Sequence, residues 1–311
     1  MEFSHKPVLL NETIELLNVK PGGIYADGTL GGGGHTEKML EAGAIVYGID
    51  RDEDAINAAS ARLSRFGDRF HPIRGNFHDI RQLLGAQGVT ALDGVMIDLG
   101  VSSHQLDERE RGFSYHDDAP LDMRMDKSQS LTAADIVNNE SPERIERILL
   151  DYGEETWARQ IVRVLTDMRR EAPIDTTGRL VEVIDRAIPK KVRSKDGSHP
   201  ARKTFQALRI AVNDELDPLS DAINDMVSLL KPGGRFCAIA FHSLEDRIVK
   251  NTLRTLMNPC ICPPDMPVCV CGRKRQAEIL TRKPVTASEA ELGDNPRSRS
   301  ATLRAAEKVA L

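Results

Sequence analysis

The sequence predicts an α/β fold built on a mostly parallel sheet, with an all-helical domain inserted into it. Three observations carry this. Short apolar strands alternate with amphipathic helices over the first hundred residues, a glycine cluster follows the first strand, and after Leu99 the next clear strand begins only at Arg235. Strands with so little polar interruption are buried on both faces, as in a parallel sheet covered by helices.

Taken in order, Ile24-Tyr25-Ala26 reads as the first strand and Glu37 to Leu40 as helix. Ala44 to Ile49 is a continuously apolar second strand. Asp52 then caps a helix whose residues Ile56, Ala59, Leu63 and Phe66 recur at three- and four-residue spacing. Phe70 to Ile73 is the third strand, Asn76 caps a helix through Leu84, and Leu92 to Leu99 is the fourth strand. The interval before Arg235 is far longer than one crossover helix needs. It carries helical stripes at Ile145, Ile148 and Leu149, at Trp157 to Met168, at Leu180 to Ile188, at Phe205 to Val212, and at Leu216 to Leu230. The last stripe is assigned to the sheet domain. A strand Arg235 to Phe241, a helix Glu245 to Leu256 and two extended stretches, Glu278 to Lys283 and Ser300 to Glu307, complete the chain. The last two are expected to close the sheet as an antiparallel pair. The expected division is 1–108 and 211–311 for the sheet domain and 109–210 for the insertion.

The 311 residues are 40% hydrophobic and 29% charged, an ordinary globular balance. No apolar run approaches the ~20 residues of a membrane span. Residues Met1 to Pro7 lack the charged-then-apolar order of an export signal, so a cytoplasmic location is expected. A net charge of −5 does not announce a nucleic-acid binder, but its distribution is uneven. Between Arg186 and Arg209 eight basic residues, Lys190, Lys191 and Arg193 among them, face the single acid Asp196. Such a stretch suits phosphate contacts, although a basic run is as often plain solvated surface.

Asp27-Gly28-Thr29-Leu30-Gly31-Gly32-Gly33-Gly34-His35 stands where strand one turns into helix. Glycines there let the backbone come close to a ligand, and the helix start offers amides to a carboxylate or phosphate. Asp50 ends strand two about 20 residues after Gly31, the position from which a carboxylate accepts both hydroxyls of an adenosine ribose. These features fit NAD or S-adenosylmethionine equally. Phe77 and Asp98 end strands three and four at the carboxyl edge, where open α/β sheets bind ligands. Phe77 is placed to flank an adenine, or else is a core aromatic. Asp98 is placed for the amino-acid end of a cofactor, since a carboxylate closing an apolar strand seldom buries without a partner.

At this point the sequence resembles the bacterial 16S ribosomal RNA cytosine-N4 methyltransferases. The matching strings run nearly end to end. They include His5 to Leu10, Asp27 to Gly31 with Gly33-Gly34-His35, Asp50-Arg51-Asp52, and Asp98-Leu99-Gly100-Val101-Ser102-Ser103-His104-Gln105-Leu106-Asp107. They continue through Arg111 to Ser114, Pro120 to Asp126, Phe205 to Arg209, Phe241 to Arg247 and Asn295 to Ser300. The resemblance implies a Rossmann-like, S-adenosylmethionine-dependent methyltransferase sheet interrupted by a helical substrate-recognition domain. It places the cofactor on Gly33, Gly34, His35, Asp50, Phe77, Asp98 and Gln105. The implied substrate is one cytidine in the decoding region of 16S ribosomal RNA, within the assembled small subunit. His104 departs from the family pattern, in which proline is common.

Cytosine N4 is a weak nucleophile because its lone pair is delocalised into the ring. Such an enzyme must align N4 with the methyl group and place acceptors beside its hydrogens, where positive charge develops. The chain lacks the polar-Pro-Pro-aromatic motif of DNA amino-methyltransferases, and Ser102 and Ser103 hold the comparable place. His242 is the first candidate acceptor, against a structural hydrogen-bonding role, and Ser103 is the second. Cys260, Cys262, Cys269 and Cys271 form C-x-C-x6-C-x-C around a proline-rich turn. Their thiolates can take a structural zinc, stay reduced, or pair as disulfides. Two other functions compete with the methyltransferase. One is a catalytically silent RNA-binding factor of ribosome assembly, and the other is an NAD-dependent dehydrogenase.

Overall fold

The computed structural model describes residues 7–193, 199–263, 266 and 268–310, without the side chains of residues 103, 104, 192 and 193. His5, Lys6, Lys195 and Asp196 lie outside the described residues, as do the side chains of Ser103 and Arg193. The chain divides into two compact units. The sheet unit comprises residues 1–100 and 216–311, and the helical unit residues 101–215.

Among the described residues of the sheet unit, seven strands form one sheet. They are β1 (Ile24–Asp27), β2 (Ile45–Asp50), β3 (Phe70–Arg74), β4 (Leu92–Asp98), β5 (Leu230–Ala240), β6 (Ala277–Ile279) and β7 (Thr302–Lys308). The spatial order is β3-β2-β1-β4-β5-β7-β6. The first five are parallel, and β7 runs antiparallel to both β5 and β6. This is the Rossmann-like sheet expected, with the antiparallel closure also as expected. Its order reverses between β1 and β4, the place where open sheets of this kind leave a crevice.

Local chemistry explains the element ends. Asp52 caps the helix Glu53–Leu63 by accepting from the Asp54 amide at 3.1 Å, and Asn76 likewise accepts from His78. The start of β5 lies earlier than the sequence suggests. Leu230 already pairs with Leu92, Lys231 to Gly234 bulge out, and pairing resumes at Gly94 with Arg235. A Pro-Gly-Gly turn reads in sequence as a strand boundary, yet here it interrupts β5 without ending it. The helices Leu10–Leu17 and Glu289–Asp294 have no counterpart in the sequence-based expectations.

Two apolar clusters cover the two faces of the sheet, one around Val95, Ile97, Ile223 and Leu253, the other around Leu40, Val46, Met96 and Leu303. Neither contains a residue of 101–215. The helical unit has a separate core around Ile148, Ile161, Leu165, Ile184, Phe205 and Leu208. Its helices are Ala133–Asn139, Pro142–Gly153, Ala158–Glu171, Thr177–Ala187, Lys190–Arg193 and Arg202–Asn213, with short turns at Ser103–Asp107 and Arg109–Arg111. The expected limits of 109 and 210 therefore fall inside this unit, because the turn after Val101 and the end of the last helix go with its core.

Because neither sheet cluster draws on the helical unit, replacing residues 101–215 with a short glycine-serine linker should leave a sheet protein that melts cooperatively. Circular dichroism and a thermal melt check this. An aggregated or non-cooperative product would mean that the two units share a core.

Candidate active site

The carboxyl ends of β1 and β4 lie side by side, and each ends in an aspartate. Asp27 is buried, accepting from the Thr36 hydroxyl at 2.8 Å and the Thr29 amide at 3.1 Å. The Gly28 amide donates to Met96 O and the Asp98 amide to Thr29 Oγ1, which stitches the two strand ends together. Asp98 Oδ1 is buried and finds no hydrogen-bond donor among the described residues. Asp50 ends β2 and accepts from the Gly31 amide at 2.8 Å and the Asp52 amide at 2.9 Å.

Burial and mutual repulsion hold these acids toward their neutral forms. Burial pushes Asp27 up to about 6, with the Asp50 charge adding to the effect. Asp50 is raised chiefly by burial, against the two amides it accepts from. Asp98 rises well above the ordinary carboxylate range, first through burial and then through the charges of Asp27 and Glu245. A cluster of this kind is poised for a cation.

Glu245 is a member of this cluster that the sequence did not single out. It is buried in the first turn of the helix Ser243–Met257, and its Oε2 accepts from the amides of Phe241 (2.8 Å) and His242 (3.3 Å). His242 caps the same helix. Its Nδ1 accepts from the Glu245 amide at 3.4 Å, and Nε2 lies 3.1 Å from Glu245 Oε1 without forming a hydrogen bond. In this arrangement the ring's Nδ1 faces its own helix, in the cap of the helix that carries Glu245. The H-x-x-E spacing was the signal, since it is a capping-box pattern with histidine in the cap position. Asp27 stood in plain view as an acid closing an apolar strand, the same pattern that identified Asp98.

The glycine cluster serves two ends. Gly33 caps the helix Gly34–Glu41 at φ +75°, a conformation that disfavours any side chain, and a Cβ there would also meet Leu63 at 2.9 Å. A Cβ on Gly34 would sit 2.2 Å from Pro7. The bareness of these positions thus serves packing as well as approach. His35 is buried with Nε2 3.0 Å from Val8 O, which ties the ring to the preceding segment. Phe77 packs beside the sheet core and meets His78 edge-on at 4.4 Å. His78 is held down at about 4 by burial and by Arg51.

Within the helical unit, Gln105 is buried and accepts from the Ser102 amide at 3.0 Å. Its own amide donates to Ser102 Oγ at 3.2 Å, so it closes that turn. Ser103 opens the helical turn Ser103–Asp107. The segment Pro120 to Asp126 is pinned from inside the unit. Asn213 bridges Met123 O and the Met125 amide, and Arg111 donates to the carbonyls of Arg124 and Met125. The basic stretch is less open than its composition suggests. Arg209 makes a two-pronged pair with Glu215 at 2.9 Å, Arg186 pairs with Glu182, and Lys203 donates to Glu154 O. Lys190 and Lys191 are exposed on the short helix Lys190–Arg193.

Residues 2–309, nearly the whole chain, match the MraW methylase family. The chain belongs to that family. It is therefore an S-adenosylmethionine-dependent methyltransferase, which sets aside the dehydrogenase. Curated relatives carry the name ribosomal RNA small subunit methyltransferase H. That of Symbiobacterium thermophilum is 55% identical, covering 99% of this chain and 98% of the relative. That of Carboxydothermus hydrogenoformans is 54% identical, covering 99% of each. The Clostridioides difficile protein is 51% identical, covering 99% of this chain and all of the relative.

S-adenosylmethionine fits the switch point on two grounds. It brings a sulfonium and an ammonium to a cluster of neutral-leaning acids, and it has donors for the orphan Asp98 Oδ1. Asp50→Ala should weaken its binding by about 1.5–3 kcal/mol, the worth of hydrogen bonds to a charged acceptor. Titration calorimetry checks this, and unchanged affinity would remove Asp50 from the site.

Asp27 makes the opposite prediction for the free protein. Its folded pKa of about 6 exceeds its ordinary value of 3.8, so the native state holds the proton more tightly. Asp27 therefore costs stability as pH rises from 3.8 to about 6. Asp27→Asn should then raise the stability of cofactor-free protein at neutral pH by about 1–3 kcal/mol, with the gain vanishing in acid. Denaturant melts across pH check the sign, and a loss of stability at neutral pH would contradict it.

Proposed function

We propose that this chain transfers a methyl group from S-adenosylmethionine to the N4 amino group of one cytidine in the decoding region of 16S ribosomal RNA. It acts in the cytoplasm on the assembled small subunit. The observation that carries this reading is its end-to-end identity, above one half, with relatives named for methylation of small-subunit ribosomal RNA.

In this reading Asp50 receives the ribose. One lone pair on each of its oxygens is taken by an amide, which leaves the others for two hydroxyls. Phe77 flanks the adenine, and Asp98 takes the ammonium end. The backbone amides of Gly34 and His35, at the start of the helix Gly34–Glu41, suit the carboxylate, while the Gly33 amide donates to Leu30 O and Gly33 serves as the bare left-handed cap beside them. Gln105 enters as a cofactor residue on the family resemblance alone. The cofactor supplies an activated methyl group on a sulfonium.

The residues around the base have less to do than in a reaction needing a strong base. They hold N4 in line and accept its hydrogens, and the positive charge that grows on nitrogen is favoured by nearby carboxylates. We place such acceptors on the segment after β5, Phe241 to Ser243, and keep Ser103 as a candidate on its sequence position alone. His242 acts there as a positioning residue through Glu245. The helical unit, 101–215, is the substrate-recognition element, with Lys190, Lys191 and Arg193 on phosphates. A base that reacts at its amino group must leave its stack.

Mass mapping of ribosomal RNA tests the reading. Cells lacking the protein should lose one N4-methyl group on a decoding-region cytidine. The wild-type chain should restore it and Asp98→Asn should not. A methyl group missing elsewhere would overturn the substrate. Full restoration by Asp98→Asn would overturn the site, and no change in any methylated nucleotide would favour the silent assembly factor.

Replacing Lys190, Lys191 and Arg193 together with glutamine should flatten the log–log salt dependence of subunit binding by about 2, since each phosphate no longer neutralised lowers the slope by ~0.7. Cofactor affinity should not move. An unaltered salt slope would return this stretch to solvated surface.

A further inference from the structure

The segment between the helix Ser243–Met257 and β6 is unlike the rest of the sheet unit. Its ends are clipped together where the Gln276 amide donates to Leu256 O at 2.8 Å. Between them Ile261, Met266, Val268 and Val270 point outward, 44–72% exposed. A loop of this length with its apolar side chains in solvent has no core to offset its ordering entropy. Something else must hold it.

The four cysteines of this loop converge. Their Sγ atoms all lie within 4.8 Å of one another. Cys260 lies 3.6 Å from Cys269, Cys262 3.8 Å from Cys269, Cys269 3.5 Å from Cys271, and Cys271 3.9 Å from Cys260. A disulfide needs about 2.0 Å, so none is formed. Four sulfurs at about 2.3 Å from a tetrahedral centre have edges of about 3.8 Å; four of the six separations, 3.5–3.9 Å, match that edge, and the other two do not exceed 4.8 Å. The Val270 amide also donates to Cys262 Sγ at 3.4 Å.

We propose that Cys260, Cys262, Cys269 and Cys271 bind one structural Zn²⁺ ion, which staples this loop onto the sheet unit. All four thiols lose their protons on binding, so that Zn²⁺ and four Cys–SH give a tetrathiolate of charge −2 and four protons. Arg273, Lys274 and Arg275 follow immediately in the chain and offset that charge. Each C-x-C pair spans an edge of the tetrahedron, and the two pairs face one another. The centre is closed, with four protein ligands and no open position, so its work is structural. The ordered loop then presents apolar side chains and three cations on one short segment.

Full-length protein purified under reducing conditions without chelator should carry about one zinc per chain by elemental mass spectrometry. Stripped protein reloaded with Co²⁺ should show the intense visible bands of a tetrahedral thiolate site. Cys262→Ser with Cys271→Ser should lower the zinc content at least about tenfold. Should that variant not fold, alkylation of the wild type decides. Zinc should shield these four cysteines, chelation should expose them, and buried Cys237 serves as the internal control. Chelation should also speed proteolysis between Cys260 and Arg275. A chain that stays free of zinc when zinc is supplied, or whose four cysteines alkylate equally with and without it, overturns the proposal. Stoichiometric iron would overturn the ion assigned.

Discussion

Asp27 and Asp98 end neighbouring parallel strands, and the register of β1 on β4 leaves their carboxylates little choice but to share one buried neighbourhood. Two such charges repel, and burial removes the water that would screen them. The local structure answers that problem at each point. Threonine hydroxyls and backbone amides surround Asp27, Asp50 is fixed between two amides, and Glu245 is satisfied by the cap of its own helix. Of these four acids, Asp98 alone keeps a buried oxygen without a donor among the described residues. A site assembled in this way is costly when empty and favourable when it receives a cation. In the proposed reading that cation is the sulfonium cofactor.

Much of this was legible in the sequence because parallel strands buried on both faces announce themselves as unbroken apolar runs. The sequence singles out Asp50 and Asp98 because an acid ending such a run has few bland explanations. Asp27 ends a run in the same way, but the glycines after it drew attention toward backbone approach. Glu245 goes unread because His242, three residues before it, reads as an acceptor or a structural hydrogen-bonding residue, while the H-x-x-E spacing of a capping box, visible in the sequence, is not used. Pairings across long stretches of chain had no signal at all. The Leu9 amide bonds Glu291 across 282 positions, and His35 reaches Val8 O only because the N-terminal segment folds back. The bulge within β5 was hidden for a related reason. A Pro-Gly-Gly turn has the same local chemistry whether it ends a strand or interrupts one.

The insertion adds a second lesson. Its length was plain from the distance between Leu99 and Arg235, and its helices from their apolar stripes. Its charge was harder to judge. Arg209 counts as part of a basic surface until its pairing with Glu215 places it in the unit's own framework. Composition gives charge, but only geometry says whether that charge is already matched. The cysteine loop shows the reverse case, since C-x-C spacing is tighter than common zinc patterns and argues against itself. The fold brings the four sulfurs within 4.8 Å of one another all the same, because the two pairs, seven residues apart in the chain, face each other.

The central claim is that the carboxylates at the β1–β4 switch are held partly neutral until the cationic cofactor arrives. Carbon-13 NMR of aspartate carboxyl groups reads this directly, with Asp27→Asn assigning the resonance. The account predicts that Asp27 titrates near 6 in the free protein and moves down, out of that range, when S-adenosylmethionine is added. An Asp27 resonance that titrates at the same pH with and without the cofactor would contradict it.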